Sequence, residues 1–169
     1  MDVKTYIQQQ FASSHRQVDV VMKDLANEHF NWTPPGSISP MSAILVHLLG
    51  SEDFFIQGVL LGKTRSWDLG GFAAQIGVAE PPGPRSDWNE FKKLTVLIPP
   101  VLAYQQAVRA ATGAYLAGIT EAGLDRPVDF AGRKIPAGEL LMISVVHTAS
   151  HAGEMAAIKG IQGLKGLPF

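Results

Sequence analysis

Residues 145–155 read Val-Val-His-Thr-Ala-Ser-His-Ala-Gly-Glu-Met, within a long apolar stretch near the carboxyl end of the chain. His147 and His151 stand four positions apart, close to one turn of an α-helix, so in a helix both imidazoles project from the same face. In this arrangement one helix offers two nitrogen ligands to a divalent metal. The same spacing also arises by chance, and on spacing alone two partly buried, hydrogen-bonded histidines are the commoner explanation.

The two histidines belong to a segment with helical periodicity that begins at Pro136 and ends near Gln162. Positions at steps of three and four along it predict one inward-facing stripe. The stripe consists of Leu140, Ile143, His147, His151, Glu154 and Ile158. We therefore expect both histidines to lie in line with core residues rather than on a solvent-exposed face.

Three further segments show apolar side chains at helical spacing, and they cover residues 3–27, 39–61 and 86–119. Asp2 is suited to cap the first helix, and Ser39 to cap the second with Pro40 at its first helical position. The pair Pro99-Pro100 predicts that the third helix kinks or restarts there, because proline lacks the N–H of a helix interior and restricts the residue before it.

The two longer connections between these segments have different predicted structures. Residues 62–86 are rich in glycine and proline, which predicts a long loop with a short helical piece near 71–77. Residues 122–136 predict an irregular connection with a short strand at 128–130. Four long helices with almost no strand signal predict an all-α fold, an antiparallel four-helix bundle with a long loop between helices 2 and 3, in one domain over residues 1–169.

The composition of the 169-residue chain narrows the classes of function. A net charge of −1 without a long basic run gives no electrostatic support for nucleic acid or an anionic membrane as partner. The absence of cysteine excludes disulfides and thiolate zinc sites. The amino terminus lacks a signal-peptide pattern, and we see no segment apolar for the roughly 20 residues of a membrane span. We expect a cytoplasmic protein that acts on a small molecule.

A third histidine, His47, lies among apolar residues of the second helix. A buried imidazole is costly unless its nitrogens are satisfied, so three histidines in two apolar helices favour a metal site. His47, His147 and His151 would leave one position open for water or substrate. His15 and His29 have weaker claims, because they lie in a polar part and at the end of the first helix.

Carboxylates near the histidines are the other candidates. Glu154 follows His151 by three positions and is our candidate catalytic residue. It is suited to be a fourth ligand, a proton shuttle or an acceptor that orients an imidazole, and a carboxylate paired with a neighbouring helix is an equal alternative. Glu52 and Asp53 are expected to form a polar flank beside His47, with Glu52 within reach of the rim of the site.

The chain resembles the DinB-like family, which includes the YfiT-type metal-dependent hydrolases. The resemblance is carried by Ser-Pro-Met-Ser-Ala-Ile-Leu-Val-His-Leu at 39–48 with Glu52 following, and by His-Thr-Ala-Ser-His-Ala-Gly-Glu-Met at 147–155. It implies an up-down-down-up bundle, a homodimer, and zinc or nickel held by His47, His147 and His151. One departure is Glu154, where we expect glutamine in many relatives.

Relatives of known activity in this family include thiol-dependent S-transferases and isomerases that use mycothiol, bacillithiol or glutathione, and many members have no known activity. The resemblance therefore implies a metal-dependent thiol S-transferase or hydrolase, with a low-molecular-weight thiol as a further cofactor. Arg65, Arg85 and Arg109 are candidates to contact such a thiol. Two alternatives stay open: a non-catalytic, stress-related protein that binds metal or a small ligand, and a vestigial site that binds no metal.

Overall fold

A computed structural model describes residues 1–168 and shows an α-helical protein with one short β-hairpin. In chain order the helices are α1 (Val3–Met22), α2 (Asn27–Asn31), α3 (Met41–Asp53), α4 (Ser66–Leu69), α5 (Phe72–Ile76), α6 (Trp88–Phe91), α7 (Ile98–Ala117), α8 (Glu121–Asp125) and α9 (Ala137–Ile161). A π-helical segment, Phe54–Leu60, continues α3. Strands β1 (Pro127–Phe130) and β2 (Arg133–Pro136) pair antiparallel, with Val128 opposite Ile135. The predicted all-α fold is confirmed.

The long helices α1, α3, α7 and α9 form the bundle. Helix α9 packs against α1 on one side and α3 on the other, and α7 contacts both α3 and α1. Helix α3 is buried over most of its circumference, as expected of an apolar helix between two neighbours. The side chains of α3 and α9 therefore meet inside the bundle, which is the arrangement that the histidines need.

The core of the bundle is divided by a buried polar layer. One apolar cluster includes Val18, Leu45, Val108 and Met155, and the other includes Phe11, Ile56, Leu116 and Leu140. On each long helix, polar residues that are at most 2% exposed lie between the residues of the two clusters. They are Ser14 on α1, Glu52 and Asp53 on α3, Thr112 on α7, and Ser144 and Thr148 on α9. This layer was not predicted, because it appears only when the four helices are aligned in space.

Helix α1 begins where it was predicted to begin but ends several residues earlier. Asp2 caps α1 as predicted, accepting a hydrogen bond of 2.9 Å from the backbone N–H of Thr5. However, α1 ends at Met22 rather than near residue 27. The buried Lys159 ammonium of α9 donates to the carbonyls of Val21 (2.7 Å) and Lys23 (2.9 Å), so a cation satisfies the carboxyl end of α1.

Proline marks the beginnings of three long helices. Helix α3 begins at Met41 with Pro40 in the N-cap position, so the prediction of Ser39 as cap was wrong by one residue. Helix α9 likewise follows Pro136. Pro99 and Pro100 lie in the first turn of α7. Backbone N–H groups in a first turn have no acceptor within the helix, so proline, which lacks this group, costs no hydrogen bond there. Of the two predicted outcomes at this proline pair, the structure shows the restart: α6 and α7 are separate helices, and α7 begins at Ile98.

The segment between the second and third long helices contains more structure than predicted. It holds two short helices, α4 and α5, where one helical piece was expected. Asp53 accepts hydrogen bonds from the backbone N–H groups of Ser66 and Trp67 and from the Tyr104 hydroxyl, and it is 1% exposed. The expectation that Asp53 forms a polar flank was wrong, because this carboxylate caps α4 from inside the protein.

Residues Met41–Leu60, comprising α3 and its π-helical extension, are long and apolar enough to cross a membrane by length and composition alone. The expectation that no segment reaches this limit was therefore wrong. Most of the segment is buried by the other helices of the bundle. The central helix of a folded domain has the same composition for that reason, so the property is weak support for a membrane span.

Candidate metal centre

His47, His147 and His151 converge where α3 meets α9. One ring nitrogen of each histidine lies within 4.8 Å of the corresponding nitrogens of the other two. The Nε2 atoms of His47 and His147 are 3.0 Å apart, and the ring centroids of His147 and His151 are 4.5 Å apart. The predicted meeting of three histidines from two helices is present in the folded chain.

The histidines lie at the edge of the buried face of α9, not within it. The buried residues of this helix include Leu140, Leu141, Ser144, Thr148, Ala152, Met155 and Ile158. His147 and His151 are each one position from this set and are only partly buried, while Glu154 is exposed. The predicted inward stripe was therefore wrong by one position, or about 100° around the helix. A position at the edge leaves the cluster open to molecules from solvent.

The far nitrogens of two histidines are held by hydrogen-bond acceptors. His47 donates from Nδ1 to the carbonyl oxygen of Pro82 at 2.6 Å, and His151 donates from Nδ1 to Oε2 of Glu154 at 2.8 Å. Each neutral imidazole then carries its lone pair on Nε2. Metal-binding histidines have this second hydrogen bond as a rule, because it fixes the tautomer and the ring orientation.

The donor set fits a divalent transition metal. A tetrahedral ion with Zn–N bonds of about 2.0–2.1 Å needs ligand nitrogens roughly 3.3 Å apart, close to the 3.0 Å between His47 and His147. Neutral imidazole suits zinc, nickel, copper and iron(II). Three imidazoles are one ligand short of a closed structural zinc site, so the fourth position would be left for water or substrate.

Burial favours the neutral, metal-binding form of His47 and His147 by lowering the pKa of each. Desolvation, assisted by the neighbouring His151 and His47, lowers the pKa of His147 to about 4. The pKa of His47 is also lowered, chiefly by burial, although its hydrogen bond to Pro82 acts in the opposite direction. A ligand with a lowered pKa has no proton to release when it binds a metal near neutral pH.

The end of the long loop forms one wall of the site. Pro81 packs directly on Gly50, one turn after His47, and a Cβ at Gly50 would overlap the Pro81 side chain. This close approach brings the Pro82 carbonyl to His47. The Trp88 ring lies 5.1 Å from the ring of His47, and its Nε1 donates to the carbonyl of Gly83 at 3.2 Å.

Pro81 and Pro82 were missed as site residues by sequence reasoning, because they belong to the predicted loop over residues 62–86. Gly50 carried a usable signal, because a glycine inside an apolar helix often marks a close approach of another backbone or side chain. The ring of Phe55, in the π-helical segment, lies 6.2 Å from the ring of His147. π-Helical turns occur frequently at functional sites.

Two other predicted site residues lie elsewhere. Glu52 is 2% exposed and its carboxylate bonds to His15 and Thr112, not to the histidine cluster, so its assignment to a polar flank or the rim was wrong. The side chain points to the opposite side of α3, toward α1 and α7. His29 is not part of the site and bonds through Nδ1 to Gln162 at 2.9 Å.

Two of the three arginines considered for a thiol cofactor are engaged in ion pairs away from the histidines, whereas Arg85 is exposed in the loop between Pro82 and Trp88. Arg65 contacts Asp68 and Glu80, and Arg109 contacts Asp19 at 2.8 Å. Within residues 1–168 no hydrogen bond joins either arginine to the three histidines. Arg65 and Arg109 therefore give no support for a thiol cofactor at the histidines.

Fold and histidine cluster together describe a four-helix-bundle protein of the DinB type. Residues 10–155 match the sequence model of the DinB superfamily, and the chain belongs to this superfamily. No curated protein matches the chain.

Solved structures with the same fold are similar over nearly the whole chain. A conserved protein from Enterococcus faecalis has a TM-score of 0.82 at 18% identity, covering 96% of this chain and 99% of its own. A DinB-like protein from Bacillus cereus has a TM-score of 0.58 at 18% identity, with 99% and 97% covered. A DinB-like protein from Bacillus subtilis has a TM-score of 0.53 at 19% identity, with 98% and 95% covered. At these identities the likeness shows the fold alone.

Proposed function

We propose that His47, His147 and His151 bind one divalent metal, zinc or nickel, and that the protein is an enzyme that uses it on a small molecule. The observation that carries this proposal is the convergence of three imidazole nitrogens within 4.8 Å. It is supported by the acceptors on the far nitrogens of His47 and His151, because they leave Nε2 of each neutral ring as the nitrogen that can bind a metal.

The chemistry that such a metal supplies when bound is Lewis-acid activation of a water or a thiol at the open position. The reaction is therefore thiol-dependent group transfer or hydrolysis. Trp88 and Phe55 border His47 and His147 and would limit the access of bulk water. Their apolar rings suit a substrate with an apolar portion next to the reacting group.

Glu154 is proposed to have two tasks. Oε2 accepts the Nδ1 proton of His151 and so orients that ring toward the cluster. The side chain is 43% exposed, so its other oxygen can exchange protons with solvent and with a reacting group at the rim. The geometry favours this role over that of a fourth ligand, because the carboxylate is already bound to the far side of His151.

The test is the metal content of protein purified without a histidine tag. We expect about one equivalent of zinc or nickel per chain by elemental analysis, and its loss in His147→Ala. His29→Ala is the matched control and should retain the metal, because this histidine bonds to Gln162. Less than about a tenth of an equivalent after incubation with either metal, unchanged by His147→Ala, would refute the metal site.

Activity separates an enzyme from a metal-binding protein. The metal-loaded protein is assayed with glutathione, bacillithiol and mycothiol against electrophilic acceptors, and with ester and amide substrates in their absence. Turnover that disappears in His151→Ala and persists in His29→Ala supports the proposal. Metal binding without turnover in either panel would favour the non-catalytic alternative. The homodimer and the cytoplasmic location stay predictions.

A further inference from the structure

A second polar constellation lies on the opposite side of α3 from the metal centre. Glu52 is 2% exposed, and its carboxylate accepts hydrogen bonds from Nε2 of His15 at 2.9 Å and from the hydroxyl of Thr112 at 2.7 Å. A buried carboxylate is tolerated only when it is paired and hydrogen-bonded in this way. The pair therefore holds the ring of His15 in one orientation between α1 and α7.

The other ring nitrogen of His15 is available. Within residues 1–168, Nδ1 makes no hydrogen bond, and it is not among the buried atoms that lack a partner. Since the N–H group at Nε2 donates to Glu52, the neutral ring presents an acceptor lone pair at Nδ1. A carboxylate that orients an imidazole so that its second nitrogen faces a ligand is a recurring arrangement in binding and catalytic sites.

His15 borders a groove of about 200 Å³ between α1 and α7. Its walls combine apolar residues, among them Phe11, Ala12 and Leu116, with polar ones such as Gln8 and Thr112. Gly113 leaves the groove open, because a Cβ at this position would meet no atom within 4 Å. Arg109 is also part of the lining, but its guanidinium is paired with Asp19 and with the carbonyl of His15.

We propose that this groove binds a small molecule built on one aromatic ring with a hydroxyl group. The volume is slightly larger than the roughly 150 Å³ of an apolar cavity that accepts benzene. The hydroxyl donates to Nδ1 of His15, and the ring packs on Phe11 and Leu116. An anionic ligand is disfavoured, since the cationic side chain of Arg109 already has a carboxylate partner.

The test uses phenol as the probe and the imidazole Cε1–H signals in NMR as the measurement. The chain has five histidines, so the signal of His15 can be assigned with His15→Asn. We expect a saturable shift of the His15 signal with phenol. Toluene, which has the ring but no hydroxyl, should bind about tenfold more weakly.

Gly113→Leu fills the groove from an open position without disturbing the Glu52–His15 pair, and should abolish the saturable shift. Gly160→Leu is the matched control, because Gly160 is also a helical glycine with open space around its Cα, on α9. His47→Ala should bind phenol as the wild type does, which separates this site from the metal centre. The proposal is overturned if phenol produces no saturable shift, if Gly113→Leu binds it unchanged, or if toluene binds equally well.

Discussion

His47 and Pro82 are joined by a hydrogen bond of 2.6 Å, although they are 35 residues apart in the chain. The carbonyl of Pro82 accepts the Nδ1 proton of His47, so the long loop sets the tautomer of a histidine on the central helix. Pro81, the preceding residue, packs on Gly50 of the same helix. The loop is therefore part of the candidate metal centre, since it holds one of its three imidazoles in place.

The first prediction concerns Gly50→Ala. The new methyl group would overlap Pro81 and displace the loop, so His47 would lose the acceptor on its far nitrogen. We expect the affinity for zinc to fall about 10- to 100-fold, the usual effect of removing such a partner. Competition with a chromophoric chelator measures this affinity. Gly153→Ala is the matched control, because a Cβ there meets nothing within 4 Å, and it should leave the affinity unchanged.

The second prediction distinguishes the two tasks proposed for Glu154. In Glu154→Gln the amide oxygen still accepts the Nδ1 proton of His151, so zinc affinity should stay within about threefold of the wild type. Glu154→Ala removes the acceptor and should weaken zinc binding about tenfold. Any turnover that needs the carboxylate as a proton acceptor should drop in both variants. Equal zinc affinity in all three proteins would show that Glu154 does not orient His151.

The third prediction is the pH dependence of stability in the metal-free protein. The pKa of His147 is about 4 in the folded chain, against an ordinary value of 6.5 for an unfolded one. Between these values the unfolded chain binds a proton that the folded protein does not. His147 therefore has no effect on stability well above pH 6.5 and destabilises the folded protein progressively as the pH falls toward 4.

Urea unfolding at several pH values between 4.5 and 7.5 tests this expectation with about ten points on each curve. The free energy of unfolding should fall on acidification, and less steeply in His147→Gln, which has no titrating ring. The control His29→Gln should retain the wild-type slope. Identical slopes for wild type and His147→Gln would contradict the lowered pKa.

The fourth prediction concerns Lys159, which is 5% exposed and donates to two carbonyls at the end of α1. Lys159→Met keeps the length and helix propensity of the side chain but leaves those carbonyls without the ammonium. We expect the free energy of unfolding to fall by about 1–3 kcal/mol. Lys165→Met, at an exposed position after α9, serves as the comparison and should change it by less than about 0.5 kcal/mol. A loss of similar size in both variants would mean that the contacts with α1 are not the cause.

The sequence by itself determined the helical segments and the residue types of the candidate metal centre. Apolar spacing identified the long helices, and proline marked where α3, α7 and α9 begin, because these signals depend on neighbours within one or two turns. It also paired His147 with His151, since a four-residue step on one helix requires no knowledge of the rest of the protein.

Only the tertiary structure decided how these parts act together. Glu52 and Asp53 follow His47 closely in the chain, yet they bond to α1, α4 and α7, because successive residues of a helix point about 100° apart. The same rotation moves His147 and His151 from the predicted core stripe to its edge. The Pro82 carbonyl, the Trp88 ring and the His15–Glu52 pair depend on contacts between distant segments. Local periodicity carries no information about such contacts, which form only when the helices and the loop pack.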